Sequence, residues 1–325
     1  MIKIGVIGAG HLGKIHLRCL QELGEPFAVC GFHDIDEKVA AAVSKKFQVR
    51  AFPDLEELIQ AADAVAVITP TVTHYDIAEA AIKAGRHVFI EKPVTQTPDE
   101  AARLLKLAGD RGVVVQVGHV ERFNPAMLAV QHLPLNPMFV EAHRLAMFNP
   151  RGTDVPVVLD LMIHDIDIVL SLVKSPVKSI SASGVPVVSD TPDIANARVE
   201  FENGCVANFT ASRISMKQMR KVRLFQKDAY ISLDFLKKES QILRMYDEEN
   251  KPADGQFLEL DTPSGKRIIT MDMPEVGEVN AIKLEWQAFA ESVLNGSPPA
   301  VSLKEGHQAL EVAYAIMEKL VKRDT

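Results

Sequence analysis

Short apolar runs and longer amphipathic stretches alternate along the first third of the chain. Residues 2–7, 28–33, 64–69, 88–90 and 113–117 are compact and rich in β-branched residues. Such runs are buried on both faces of a parallel sheet. Between them, apolar positions recur at helical spacing over 12–23, 36–47, 54–60, 73–84 and 98–109. Start signals agree with this reading: Asp54 precedes Leu55, and Thr97-Pro98 precedes Asp99-Glu100. Strands alternating with helices require right-handed crossovers, so the pattern predicts an α/β domain built on a doubly wound parallel sheet.

After about residue 120 the rhythm changes. One helix is predicted over 160–173, followed by strands at 180–188, 194–201, 205–213, 221–225, 229–234 and 242–246. Asn203-Gly204 between two of these strands is a hairpin turn, because Asn-Gly accepts positive φ. Helices over 280–295 and 303–323 close the chain, split by Gly296-Ser297-Pro298-Pro299. The expected division is 1–121 and 122–325, the second part being an α+β domain with an open, mostly antiparallel sheet. Its last helix is free to pack back on the first domain.

Composition narrows the function. With 47% hydrophobic and 24% charged residues, the chain resembles an ordinary globular protein. A net charge of −7 with no basic stripe argues against nucleic acid as a partner. Cys19, Cys30 and Cys205 are scattered, with no CxxC pair, so no metal framework is expected and a reducing cytoplasm is. No stretch approaches the ~18 apolar residues of a membrane span, and no membrane partner is expected.

Gly8-Ala9-Gly10-His11-Leu12-Gly13 follows the first strand and opens the first helix. The first glycine permits a tight turn, the second lets backbone approach a pyrophosphate, and the third allows close helix–strand packing. The second strand ends at Asp34, about 20 residues further on, where a carboxylate holds a ribose 2′-OH. The same charge repels a 2′-phosphate and no arginine follows it, so NAD is expected over NADP. These residues together describe a Rossmann domain. An S-adenosylmethionine or flavin site could use similar glycines, and Glu91-Lys92-Pro93 at the end of the fourth strand argues against both. A lysine ammonium beside a reacting C–O bond stabilises a developing alkoxide. Pro93 makes a cis peptide accessible.

Further motifs complete a pattern: His16, Thr69-Pro70 with His74, Gly85-Arg86-His87-Val88, and Arg122-Phe123-Asn124-Pro125. Asp160, His164, Asp165 and Asp167 follow, and Leu284-Glu285-Trp286 begins the closing segment. With Gly8–Gly13 and Glu91-Lys92-Pro93, they make the chain resemble the Gfo/Idh/MocA family of sugar oxidoreductases nearly end to end. The resemblance implies that Lys92 contacts nicotinamide and substrate hydroxyl, and that Asp160 and His164 contact substrate, with His164 the general base. It implies a cofactor pocket lined by Gly8, Gly10, His11, Leu12, Gly13, Asp34, Thr69, Pro70, His74 and Glu91. It also implies homodimers or homotetramers packed through the C-terminal sheet, and no metal. From the residues alone, Asp160 could instead cap a helix and His164 could be a core histidine. Asp160, His164 and Asp167 recur at helical spacing and should share one face. Arg122, Asn124 and Arg151 are candidate substrate ligands, with Arg144 and Asn149 beside them, since arginine grips diphosphate bidentately. A salt bridge or cap is an equal alternative for Arg122 and Asn124.

The segment Thr153-Asp154-Val155-Pro156-Val157-Val158-Leu159, with Gly118-His119-Val120-Glu121 ahead of Arg122, looks most like the family's UDP-N-acetylglucosamine 3-dehydrogenase branch. The expected activity is therefore NAD-dependent hydride transfer from a sugar secondary alcohol, at C3 of a nucleotide sugar. A free sugar, inositol or other polyol is the alternative substrate, and a non-catalytic NAD sensor is the alternative of another class.

Overall fold

The computed structural model describes residues 1–149, 155–250, 257–263, 265–275 and 277–321, in two compact units. The first holds Met1–Val120 and Asn280–Glu311. Its strands and helices alternate as the apolar pattern requires: β1 (Ile2–Ile7), α1 (His11–Leu23), β2 (Phe27–His33), α2 (Glu37–Phe47), α3 (Leu55–Ala61), β3 (Ala64–Val67), α4 (His74–Lys83), β4 (His87–Glu91), α5 (Pro98–Arg111) and β5 (Val115–Gly118). The strands form one parallel sheet in the order β2-β1-β3-β4-β5. Every residue of β3, and Val88 to Glu91 of β4, is buried, as expected of strands covered on both faces.

Helix starts follow local chemistry. Asp36 caps α2 by accepting from the Lys38 and Val39 N–H groups, and Asp54 does the same for α3 with Glu56 and Glu57. Thr97 and Glu100 form a reciprocal capping box on α5, with Pro98 in the first turn. At the start of α1, by contrast, Gly10 offers no side-chain cap, and the first turn carries no acid.

The second unit holds Glu121–Val279 and the chain from Val312 on. It begins with α6 (Pro125–Leu128) and β6 (Phe139–Leu145). A π-helical turn, Val158–Met162, runs directly into α7 (Ile163–Val173). Then come β7 (Val177–Val185), β8 (Ile194–Phe201), β9 (Val206–Ser212), β10 (Met219–Phe225), β11 (Ala229–Asp234), β12 (Glu239–Asp247), β13 (Phe257–Thr262) and β14 (Gly265–Asp272). These strands form a nine-stranded sheet in the order β13-β14-β12-β11-β10-β6-β9-β8-β7. All its pairings are antiparallel except β6 with β9. α7 packs against β6 and β9. In β8 the inward residues Ala195, Ala197, Val199 and Phe201 are buried, while Asn196 and Arg198 on the other face are exposed. The Asn203-Gly204 turn forms as expected, with Gly204 at φ 85°.

The expected 122–325 domain is interrupted. α8 (Ala281–Asn295) buries Trp286, Phe289 and Ala290 in the core of the first unit, beside Leu20, Phe27 and Phe89. α9 (Leu303–Val321) follows it. The burial of three large or close-packed side chains on one face of α8 draws this segment into the first unit. Among the described residues, no helix is long and apolar enough to cross a membrane.

Candidate active site

The glycine motif bends β1 into α1 at the carboxyl ends of β1 and β3. These two strands lead to crossovers on opposite sides of the sheet, so the crevice outside their ends is where ligands bind in such folds. Gly8 takes φ 91°, and a Cβ there would collide with the Ile68 carbonyl oxygen. A Cβ on Gly13 would strike the Gly8 carbonyl oxygen, so the helix can lie this close only without one. A Cβ on Gly10 would meet nothing within 4 Å. That open space in front of an uncapped helix N-terminus, flanked by exposed His11 and Leu12, fits a pyrophosphate: free N–H groups and the positive end of the helix dipole face it.

Asp34 closes the same turn. Its carboxylate accepts from the Ala9 N–H at 2.7 Å and from the Asp36 N–H at 2.9 Å. An ionised carboxylate has about four acceptor positions, so it keeps capacity for a ribose hydroxyl. Thr69 follows β3, where its hydroxyl accepts from Thr73 Oγ1 at 2.8 Å. His74, by contrast, is buried, with Nδ1 2.9 Å from the Pro93 carbonyl and Nε2 2.9 Å from the Thr69 carbonyl. Burial holds its imidazole below the ordinary histidine value, although both carbonyls oppose this. His74 therefore sits between the Thr69-Pro70 turn and the Lys92-Pro93 turn, and its neutral ring has one N–H to donate to one of the two carbonyls.

Lys92-Pro93 is a cis peptide at the end of β4. From Val88 to Thr95 every residue is buried except Lys92. Glu91 is 8% exposed, and its carboxylate is occupied within the fold. Oε1 lies 3.0 Å from His16 Nε2, and Oε2 accepts from the Lys92 N–H at 3.2 Å. The sequence thus presents one accessible ammonium-bearing residue from an otherwise closed strand end.

In the second unit, residues 165–169 of α7 are all buried, whereas Asp160 and His164 stay half-buried. Asp160 sits in the π-helical turn, not in the regular helix expected over 160–173. Such one-turn insertions re-aim side chains and concentrate at functional sites. Asp167 does not stay accessible alongside Asp160 and His164. It is 1% exposed, gripped by Arg122 through Nε at 2.8 Å and Nη2 at 2.7 Å. Arg144, expected beside a substrate, is buried as well. It bonds Asp165 at 2.8 Å and Glu121 at 2.9 Å, and although burial opposes its charge, these carboxylates hold the guanidinium protonated well above its usual range. Asn124 caps α6 through the Ala126 N–H and donates to Glu121 and to the Phe235 carbonyl, so its amide is spent on the fold. Asn149 lies in exposed coil after β6. Arg151, Thr153 and Asp154 lie outside the described residues.

A family model described as an oxidoreductase family with an NAD-binding Rossmann fold matches residues 2–119, and the model of the GFO/IDH/MocA C-terminal domain matches 142–231. Over 236 residues the chain is 40% identical to a UDP-N-acetylglucosamine 3-dehydrogenase of Acidithiobacillus ferrooxidans, covering 72% of this chain and 74% of that protein. The chain belongs to the Gfo/Idh/MocA oxidoreductase family. A solved structure of UDP-N-acetylglucosamine 3-dehydrogenase from A. ferrooxidans superposes with a TM-score of 0.88 at 33% identity, covering 98% of this chain and 97% of that one. A myo-inositol 2-dehydrogenase of Thermotoga maritima is 24% identical over 99% of this chain and 97% of its own length.

Within this Gfo/Idh/MocA chain, sequence reasoning attached no role to Glu121 or Asp165, which neutralise Arg144. The signal was present: a charged residue in an alternating strand pattern needs an opposite charge from the element packed on it. His16 and Trp286 were visible only as motif members, although they meet at 3.1 Å across 270 positions of sequence.

Proposed function

We propose that this oxidoreductase oxidises the C3 hydroxyl of UDP-N-acetylglucosamine to the ketone, with NAD as hydride acceptor. The likeness to the Acidithiobacillus enzyme, extending over 98% of the chain in structure, carries the substrate assignment. Bound NAD supplies the carbon that accepts the hydride. Gly8 to Gly13 hold its pyrophosphate, and Asp34 binds the adenosine ribose 2′-OH and repels a 2′-phosphate, which favours NAD over NADP. Lys92 stabilises the substrate oxygen as the C–H bond breaks, and His164 takes the hydroxyl proton, with Asp160 orienting the sugar. The proton and hydride together account for both hydrogens lost from the alcohol. Substrate contacts by Arg122 and Arg151 belong to the same reading.

Turnover of UDP-N-acetylglucosamine with NAD, without turnover of myo-inositol, is the expected result. The reverse preference would favour the second reading, a polyol dehydrogenase, which the likeness to the Thermotoga enzyme supports. Assembly as a homodimer or homotetramer through the outward face of the nine-stranded sheet is part of the proposal, and light scattering in solution tests it. A cytoplasmic setting accords with three free cysteines, whose thiols burial pushes up, Cys205 to about 11.

A further inference from the structure

α7 is held by charge on both sides of His164. Arg122 grips Asp167 through two parallel bonds, Nε to Oδ2 at 2.8 Å and Nη2 to Oδ1 at 2.7 Å. Asp165 Oδ1 accepts from Arg144 Nε at 3.1 Å and from its Nη2 at 2.8 Å. The same guanidinium donates from Nη1 to Glu121 Oε1 at 2.9 Å. Asp165, Asp167, Arg144 and Glu121 are all buried. Glu121 and Arg122 are neighbours on one 3₁₀ turn, Val120–Phe123. A single turn thus reaches both carboxylates of α7, one directly and one through Arg144.

Successive residues of an α-helix lie about 100° apart around its axis. Asp165 therefore projects about 100° to one side of His164, and Asp167 about 60° to the other. His164 occupies the arc between two anchored side chains, half-buried where they are buried. The start of the helix gives no comparable hold, because α7 opens from the π-helical turn without a side-chain cap. Buried charge is a costly way to attach a helix, and apolar pairs of similar volume hold one as firmly. What a planar fork adds is direction: two parallel bonds fix the angle between guanidinium and carboxylate.

We infer that Asp165 and Asp167 are positioning residues for His164: held by Arg144 and Arg122, they set the rotation of α7 and so the direction in which the imidazole points. The inference rests on the reading of His164 as the general base. The Glu121-Arg122 turn is then the fixed point against which the helix is set. For Arg122 this role stands beside its proposed substrate contact.

Asp167→Asn keeps the shape and breaks the fork, since an amide offers one acceptor oxygen where two are used. The folded variant should lose about tenfold or more in kcat, with the KM for NAD within about twofold. That loss must pass through His164. In a His164→Ala background, assayed at about pH 9 with hydroxide as the base, Asp167→Asn should change kcat by less than about twofold. An equal loss in both backgrounds marks a general structural role and overturns the inference, as does an unchanged kcat in the single variant. Where the His164→Ala rate is too slow to measure, ¹⁵N-histidine spectra decide. The His164 ring signals, identified by their loss in His164→Ala, should move in Asp167→Asn, and unmoved signals overturn the inference. Asp165→Asn should repeat the pattern, and it takes the place of Asp167→Asn should that variant fail to fold. Full turnover by His164→Ala would instead defeat the reading of His164 as the base, while its ring signals in the parent protein would still report the clamp.

Discussion

Asp34→Asn separates cofactor choice from turn structure. In the wild type each carboxylate oxygen holds one backbone N–H, from Ala9 at 2.7 Å and from Asp36 at 2.9 Å. Asparagine keeps one acceptor and loses the charge. One of the two N–H groups then turns to water, because the Asp36 contact is exposed and the Ala9 contact only part-buried. The stability cost should therefore sit near the low end for a charge-assisted bond, about 1.5 kcal/mol. A ribose hydroxyl bonded to an ionised partner contributes about 1.5–3 kcal/mol, so the KM for NAD should rise roughly 10- to 100-fold. Removing the negative charge also removes repulsion of a 2′-phosphate. The ratio of kcat/KM for NAD over NADP should fall by at least about tenfold, measured by absorbance of the reduced nicotinamide. A folded variant with an unchanged ratio would refute the role given to Asp34.

Asp165→Ala leaves buried Arg144 with Glu121 as its close partner. Urea unfolding should show a loss of about 3 kcal/mol, and a loss below about 1 kcal/mol would contradict the network. His74, whose folded value lies below its unfolded value of about 6.5, binds a proton more readily when the chain is unfolded. Its contribution is thus present above about pH 6.5 and lost as the pH falls through the folded value. Unfolding midpoints across pH 5–8 should decline on the acid side, and His74→Gln should flatten that decline; an equal slope in both proteins would exclude His74 as its source.

The parallel sheet was legible because its strands are continuous apolar runs and its helices carry their own caps, as Asp54 and Thr97 show. β6, next to the middle of the second sheet, was not. Its inward positions are Val140, Ala142 and Arg144, and the guanidinium among them disguises the core face until Asp165 and Glu121 are seen opposite it. The β13–β14 hairpin escaped for another reason: at the sheet edge, Leu258 is 73% and Met271 66% exposed, so no buried face imposes an alternation. α6 is a single turn, too short for periodicity, although Asn124-Pro125 is a start signal. Locally determined geometry was readable, such as the Gly8 turn and the Asp34 carboxylate that closes it. The contacts of Glu91, His16 and Trp286 with one another were not, because they join segments far apart in sequence. The π-helical turn at Asp160 left no trace in the spacing, since helical and π-helical turns differ by a single residue in their bonding.

The most direct test of the proposed reaction is the rate of NADH formation from UDP-N-acetylglucosamine by the wild type and by Lys92→Met. Preorganised charge at a developing alkoxide contributes about 10²–10³-fold to kcat. The expected result is turnover by the wild type, with a loss of at least about a hundredfold in the folded variant. Turnover by Lys92→Met within a few-fold of the wild type, or none by the wild type, would contradict the account.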